Sequence, residues 1–227
     1  MRSWMVPLLI AVSLGVALAS EPLTPAKPVT FALKGGISQT TPSLDPDPGA
    51  GDGAAMGYGG GVTIGLNLSS HVSFDAEVLY ARKGGKYSYS TGDPIEGPEG
   101  RLESRVALDY VTLSPLLRAT FRPHGASPYL LAGAEFGFLM NAEWEWSETT
   151  GGSGTWDAKD EFEETDFSLS FGGGLDLPAS GTTNFFVEAR YYYGMTDISK
   201  TPYSESIRED TSEMKNRGTY LFGGLRF

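Results

Sequence analysis

The sequence predicts an all-β fold, an eight-stranded antiparallel up-and-down transmembrane β-barrel, on three observations. The first is alternation at the strand period. Between Pro128 and Trp146, Leu130, Ala132, Ala134, Phe136, Phe138, Met140, Ala142, Trp144 and Trp146 share one parity, while glycine, Glu135, Asn141, Glu143 and Glu145 fall on the other. The second is the strict alternation of short turns with long polar loops. The third is an exported-looking amino terminus followed by no apolar run of the ~20 residues a membrane helix needs. Such a chain is integral only if its strands close, so that every backbone donor and acceptor is paired.

Taken in order, residues 1–19 read as a signal peptide: one base at Arg2, an apolar run from Val6 to Leu18, then the small-x-small pattern Ala17-Leu18-Ala19. Residues 20–27, rich in proline, form a short periplasmic leader, and residues 28–227 form the barrel domain. Strands are expected at 28–39, 56–69, 71–88, 103–122, 128–146, 165–178, 183–198 and 218–227. Short turns fall at 69–71, 122–127 and 177–183, and long loops at 40–55, 89–102, 147–164 and 199–217. An even strand number puts both termini on the periplasmic side, with the long loops outside. Thirty glycines, fourteen prolines and 12% aromatics in 227 residues suit one domain of strands and turns.

Parity assigns the faces. Val72, Phe74, Ala76, Val78 and Tyr80 oppose Ser73, Asp75, Glu77 and Leu79, and Phe185, Val187, Ala189, Tyr191 and Tyr193 oppose Glu188, Arg190 and Tyr192. Asp109 has outward parity; it lies about 30 Å above Phe121 for a tilted strand, just past an apolar band of about 25 Å, so an outer-interface position is expected. Trp144, Trp146, Tyr191 and Tyr193 form part of an outer aromatic girdle in this reading, with Phe121 and Phe227 in the inner one. A soluble barrel with these aromatics in its core is the alternative.

Inward parity gathers Lys34, Arg118, Arg190 and Arg226 with Asp75, Glu77, Glu135, Asp176 and Glu188. Eight strands leave an interior that side chains just fill, and buried charges are costly unless paired. The expectation is a lumen plugged by ion pairs, with Gly36, Gly65, Gly133, Gly137, Gly172 and Gly174 making room for long neighbours.

Chemistry is sparse. Both histidines, His71 and His124, fall in short turns on different hairpins, so an outer-surface Ser/His/Asp hydrolase has no base. Ser168 and Ser170 sit in plain strand alternation, and the glycines of 57–65 fit no nucleotide-binding spacing. Without cysteine there is no disulfide, thiolate metal site or acylated cysteine. The aspartates of 45–53 and the acids of 157–166 match no calcium loop and read as solvated acidic loops, with calcium as the alternative. No catalytic, cofactor or metal residue is assigned. A net charge of −11 argues against nucleic acid and against a polybasic grip on anionic lipid.

Several segments carry a family resemblance: FALKGGIS (31–38), SFDAEVLYARKGGKY (73–87), LDYVTLSPLLRATF (108–121), PYLLAGAEFGF (128–138), VEARYYYGMTDIS (187–199) and the terminal GTYLFGGLRF. Together they resemble the PorT-like outer-membrane barrels, the eight-stranded outer membrane protein beta-barrel domain. Phe227, with Leu225, Gly223 and Leu221 on its face, is similar to the terminal-aromatic signal read by the barrel-assembly machinery. The resemblance implies an outer-membrane location and brings no catalytic residues; some relatives assist secretion. The expected function is therefore a non-enzymatic structural or partner-binding role in the envelope, with outer-membrane lipid, the barrel-assembly machinery and an envelope protein as partners. A lipid-acting barrel enzyme using a carboxylate pair and a narrow solute channel are the alternatives.

Overall fold

Antiparallel ladders join each long strand to the next and the last to the first. The computed structural model describes residues 28–45, 51–90, 101–121, 125–149, 151–200 and 213–227. The strands are β1 (Val29–Thr40), β2 (Ser43–Asp45), β3 (Gly51–Asn67), β4 (Val72–Ser90), β5 (Arg101–Thr120), β6 (Ser127–Glu148), β7 (Ser153–Asp157), β8 (Thr165–Ser180), β9 (Thr183–Gly194), β10 (Glu213–Lys215) and β11 (Arg217–Arg226). β1, β3, β4, β5, β6, β8, β9 and β11 follow one another around the barrel, and β1 pairs β11 to close it. The signal peptide, the leader at 20–27 and His124 lie outside the described residues, as do 46–50, 91–100 and 201–212 of the long loops.

Closure follows from the local sequence. Short turns join the long strands at one end, the turn end; between β3 and β4, the Val72 carbonyl accepts from Leu68 and Ser69 N–H at 2.9 and 3.0 Å. Between β8 and β9 the turn uses Gly181 at φ +59°, a left-handed conformation that glycine enters without a Cβ clash. The strand ends that flank the long connections lie at the opposite, loop end. There β2 pairs β10, β7 extends the sheet beyond β6, and a 3₁₀ turn spans Lys159–Glu161.

The outward face is apolar across the middle of the wall. Val62, Val78, Leu113 and Phe136 are register partners on four successive strands and are 42–46% exposed. Each forgoes about 1.5–3 kcal/mol if left in water. A continuous ring of such side chains belongs in hydrocarbon, and the barrel is a transmembrane one.

One register shift changes the aromatic girdle. β5 and β6 slip by one residue between Asp109 and Tyr110, where Tyr110 pairs Leu139 and Asp109 pairs Asn141, leaving Met140 extra. A one-residue slip exchanges the faces of everything beyond it. Ala142 and Trp144 therefore turn inward and pack on an interior cluster, with Trp144 stacked between Tyr87 (centroids 6.3 Å) and Trp156 (5.6 Å). Trp146 shares this parity and lies against Gly152 and Gly154. Both tryptophans leave the lipid-facing girdle that unbroken alternation assigns them. Glu143 turns outward in exchange and accepts from Arg82 Nη2 at 3.3 Å. The Arg82 Nε lies 3.3 Å from Asp109 Oδ1, so the outward aspartate is neutralised by a neighbour one strand away.

Single-tryptophan variants in brominated phosphatidylcholine vesicles check this slip. Trp144 is expected to keep most of its emission, whereas a Phe136→Trp probe is strongly quenched. Equal quenching of both would place Trp144 on lipid.

Candidate functional site

The barrel interior is the most organised part of the molecule, and it is layered along the axis. Nearest the turn end, Arg118 pairs with Asp176, and Arg226 lies 3.6 Å from Asp75 and 3.7 Å from Asp176. The Ser73 hydroxyl donates to Asp75 at 2.8 Å, and the Arg118 guanidinium stacks 4.0 Å over the Tyr129 ring. Arg118, Asp176 and Arg226 border a cleft of about 320 Å³ that opens at this end.

The next layer is a closed quartet. Arg190 donates to both Glu77 oxygens at 2.7 and 3.2 Å and to Glu188 at 2.6 Å. Lys34 pairs with Glu77 and donates to Glu188 Oε1 at 3.0 Å. Tyr129 and Thr63 hydroxyls complete the set, donating to Glu188 at 3.0 Å and Glu77 at 3.3 Å. Two cations face two carboxylates in a fork geometry in which the guanidinium has no substitute.

Above the quartet sit an aromatic layer and a second ionic centre. Tyr192, Tyr220 and Phe222 stack at 4.7 and 5.1 Å beside Leu79 and Ala81. Lys83 donates to Glu135 at 2.9 Å and to Asp166 at 3.0 Å, with its ammonium 4.6 Å from the Tyr192 centroid. Asn216 also donates to Asp166, at 3.0 Å.

The loop end is closed by apolar side chains. Ala158, Phe162, Ile198 and Met214 come from the connections and pack on Tyr87, Val106, Leu108, Leu139 and Ala142 of the wall. Backbone bonds hold these segments in place: Leu139 N–H to the Glu164 carbonyl at 2.8 Å, Glu163 N–H to Ile198 at 2.9 Å and Ile198 N–H to Met214 at 2.8 Å.

All nine charges assigned to the lumen by parity are buried, and each pairs with an opposite charge inside the barrel. Two members were missed. Lys83 continues the parity of Asp75 and Glu77 past Leu79 and Ala81, so extending the same alternation finds it. Asp166 belongs to β8 and points inward, 2% exposed, a correction to the solvated acidic loop at 157–166. Phe162 corrects the same reading, because this loop carries the barrel's stopper.

The glycines divide by cause. A Cβ at Gly174 would enter the Tyr129 ring as well as meet the Val187 carbonyl, one at Gly65 would crowd Asp75 and one at Gly137 would press on Tyr110, so these three make room for lumen side chains. At Gly36, Gly133 and Gly172 the close neighbour is the adjacent strand's backbone, a correction to the room-making role. Of the aromatics, Tyr191 contacts Phe171 at 5.3 Å on the outward face, Tyr193 stacks with Arg217, and Phe121 and Phe227 are 48% and 40% exposed at the turn end.

For chemistry the described residues offer little. His71 lies in a turn with Nδ1 2.9 Å from the Ser70 hydroxyl, and no group of three His, Asp or Glu gathers as a metal site among the described residues.

Residues 20–200, well over half of the chain, match the outer membrane protein beta-barrel domain family. The chain belongs to that family. The match is to this general domain and is broader than the PorT-like resemblance. No curated protein matches the chain. Among solved structures the chain is similar to Neisserial surface protein A, with 16% identity, 86% of this chain and 95% of that chain covered, and a TM-score of 0.42. OprG from Pseudomonas aeruginosa gives 13% identity, 91% and 99% coverage and a TM-score of 0.45. Ail, the attachment invasion locus protein of Yersinia pestis, gives 16% identity, 87% and 98% coverage and a TM-score of 0.36.

Proposed function

We propose that this protein is a non-enzymatic outer-membrane barrel with a sealed lumen, which acts by holding an envelope partner at its loop end. The observation that carries the reading is the filling of the interior. Paired charges occupy the middle, where Arg190, Glu77, Tyr192, Tyr220 and Phe222 are all fully buried, and an apolar stopper lies above them. A lumen built this way stiffens the wall and leaves binding to the surfaces at its ends. Export through a cleaved leader, periplasmic termini and insertion by the barrel-assembly machinery belong to the same proposal. The PorT-like segments support its narrower form, in which the partner is a secretion or assembly component.

Photocrosslinkers placed at Ser153 and Glu103 on the loop end, and at Ser69 and Thr182 in the turns, test it in cells. The expected result is a stoichiometric envelope protein captured from the loop-end positions. Purified barrel that recovers no partner and cleaves lipid acyl esters would replace this reading with the enzymatic one.

A further inference from the structure

The outward surface at the loop end carries cations of two kinds. Arg82 has Asp109 and Glu143, and Lys215 has Glu213 at 2.5 Å. Arg217 has no carboxylate partner among the described residues. Its guanidinium is nevertheless fixed: Nη2 donates to the Tyr193 hydroxyl at 3.0 Å, and the group lies 4.4 Å from the centroid of the same ring. Its Nε is buried and finds no acceptor among the described residues.

This side chain borders a cleft of about 490 Å³ on the outside of the wall, shared with Gln39, Thr41, Ser43, Tyr191 and Thr219. Of its seven other lining residues, which include Pro42 and Gly218, these five bring side-chain hydrogen-bond donors, and none of the seven brings a negative charge. Directly toward the membrane the wall turns apolar, with Ile37 and Leu221 49% and 55% exposed. The cleft thus sits where hydrocarbon gives way to headgroups, the depth at which an uncompensated cation is costly and an anionic headgroup is within reach.

We propose that the cleft binds the phosphate of an anionic lipid headgroup in the leaflet at the loop end, with Arg217 as its anchor. The guanidinium is held over the tyrosine ring with its Nη1 donors uncommitted among the described residues, and a planar guanidinium is the group whose fork of N–H donors phosphate oxygens accept best. The hydroxyls of Thr41, Ser43 and Thr219 and the Gln39 amide supply donors for the remaining oxygens. The site differs from the lumen network and from the proposed partner surface. It requires only that the barrel sit in its membrane.

The test is a titration of the folded full chain, in detergent, with dihexanoyl phosphatidic acid, followed by native mass spectrometry. Dihexanoyl phosphatidylcholine and inorganic phosphate serve as competing probes. One phosphatidate per barrel is expected, with Arg217→Gln weakening it by about ten- to a hundredfold, the loss of a charge-assisted pair. Arg217→Lys should lie between. Folding of each variant is read from its heat-dependent gel shift. Should Arg217→Gln fail to fold, Thr219→Val is expected to weaken binding several-fold while keeping the barrel intact. Unchanged phosphatidate binding in Arg217→Gln, or in a folded Thr219→Val when that variant stands in for it, would overturn the proposal. Equal binding of phosphatidylcholine would do the same. Equal affinity for inorganic phosphate would assign the cleft to free phosphate and overturn the lipid assignment.

Discussion

Replacing Arg190 by leucine is expected to destabilise the folded barrel by about 3–5 kcal/mol, the range for removing one partner of a buried ion pair. Arg190 makes three hydrogen bonds to Glu77 and Glu188, and the substitution leaves Lys34 as the one cation of the quartet for both carboxylates, beside the neutral hydroxyls of Tyr129 and Thr63. The lumen then holds an uncompensated negative charge, walled by Phe222 and Leu79, where water cannot solvate it. Adding Glu77→Leu removes that excess and leaves Lys34 paired with Glu188, so the double variant should recover most of the loss. Reversible urea unfolding in lipid vesicles measures all three proteins. A single variant within about 1 kcal/mol of the parent would mean that the quartet is hydrated and not a sealed plug.

Arginine on the outer wall should cost stability according to depth. Leu113→Arg, at the middle of the apolar ring, is expected to lose about 2–4 kcal/mol, and Phe121→Arg, near the turn end, about 0–1 kcal/mol. Both native side chains are similarly exposed, at 46% and 48%, so a barrel surrounded by water would show the same small effect at each. Unfolding midpoints in vesicles distinguish the two cases, and a flat profile would favour the soluble alternative.

Most of the architecture was legible because a barrel writes itself into the chain twice, as period-two alternation and as alternating connection length. The eight strands, their pairing order and the inward set from Lys34 to Arg226 follow from those signals. The slip at Met140 was not legible. A β-bulge adds one residue without changing composition, and Ala142, Trp144 and Trp146 continue a plausible greasy face. Only the pairing of β5 with β6 shows that Glu143 is wanted outside by Arg82. The stopper was hidden for a different reason. Ala158 and Phe162 are single apolar residues in an acidic loop, Ile198 closes the strand expected over 183–198 but lies past the end of β9 at Gly194, and their burial depends on where two connections meet. Asp166 was misplaced because it closes a run of acids, although its position one residue before Phe167 already gives it lumen parity.

The measurement closest to the central claim is ion conductance of the purified, folded protein in a planar lipid bilayer. A lumen filled by the Arg190 quartet, the Tyr192–Tyr220–Phe222 stack and the Phe162 stopper predicts a flat current trace at moderate voltage. Steady, unitary steps in the nanosiemens range would show a continuous aqueous path and contradict the sealed barrel.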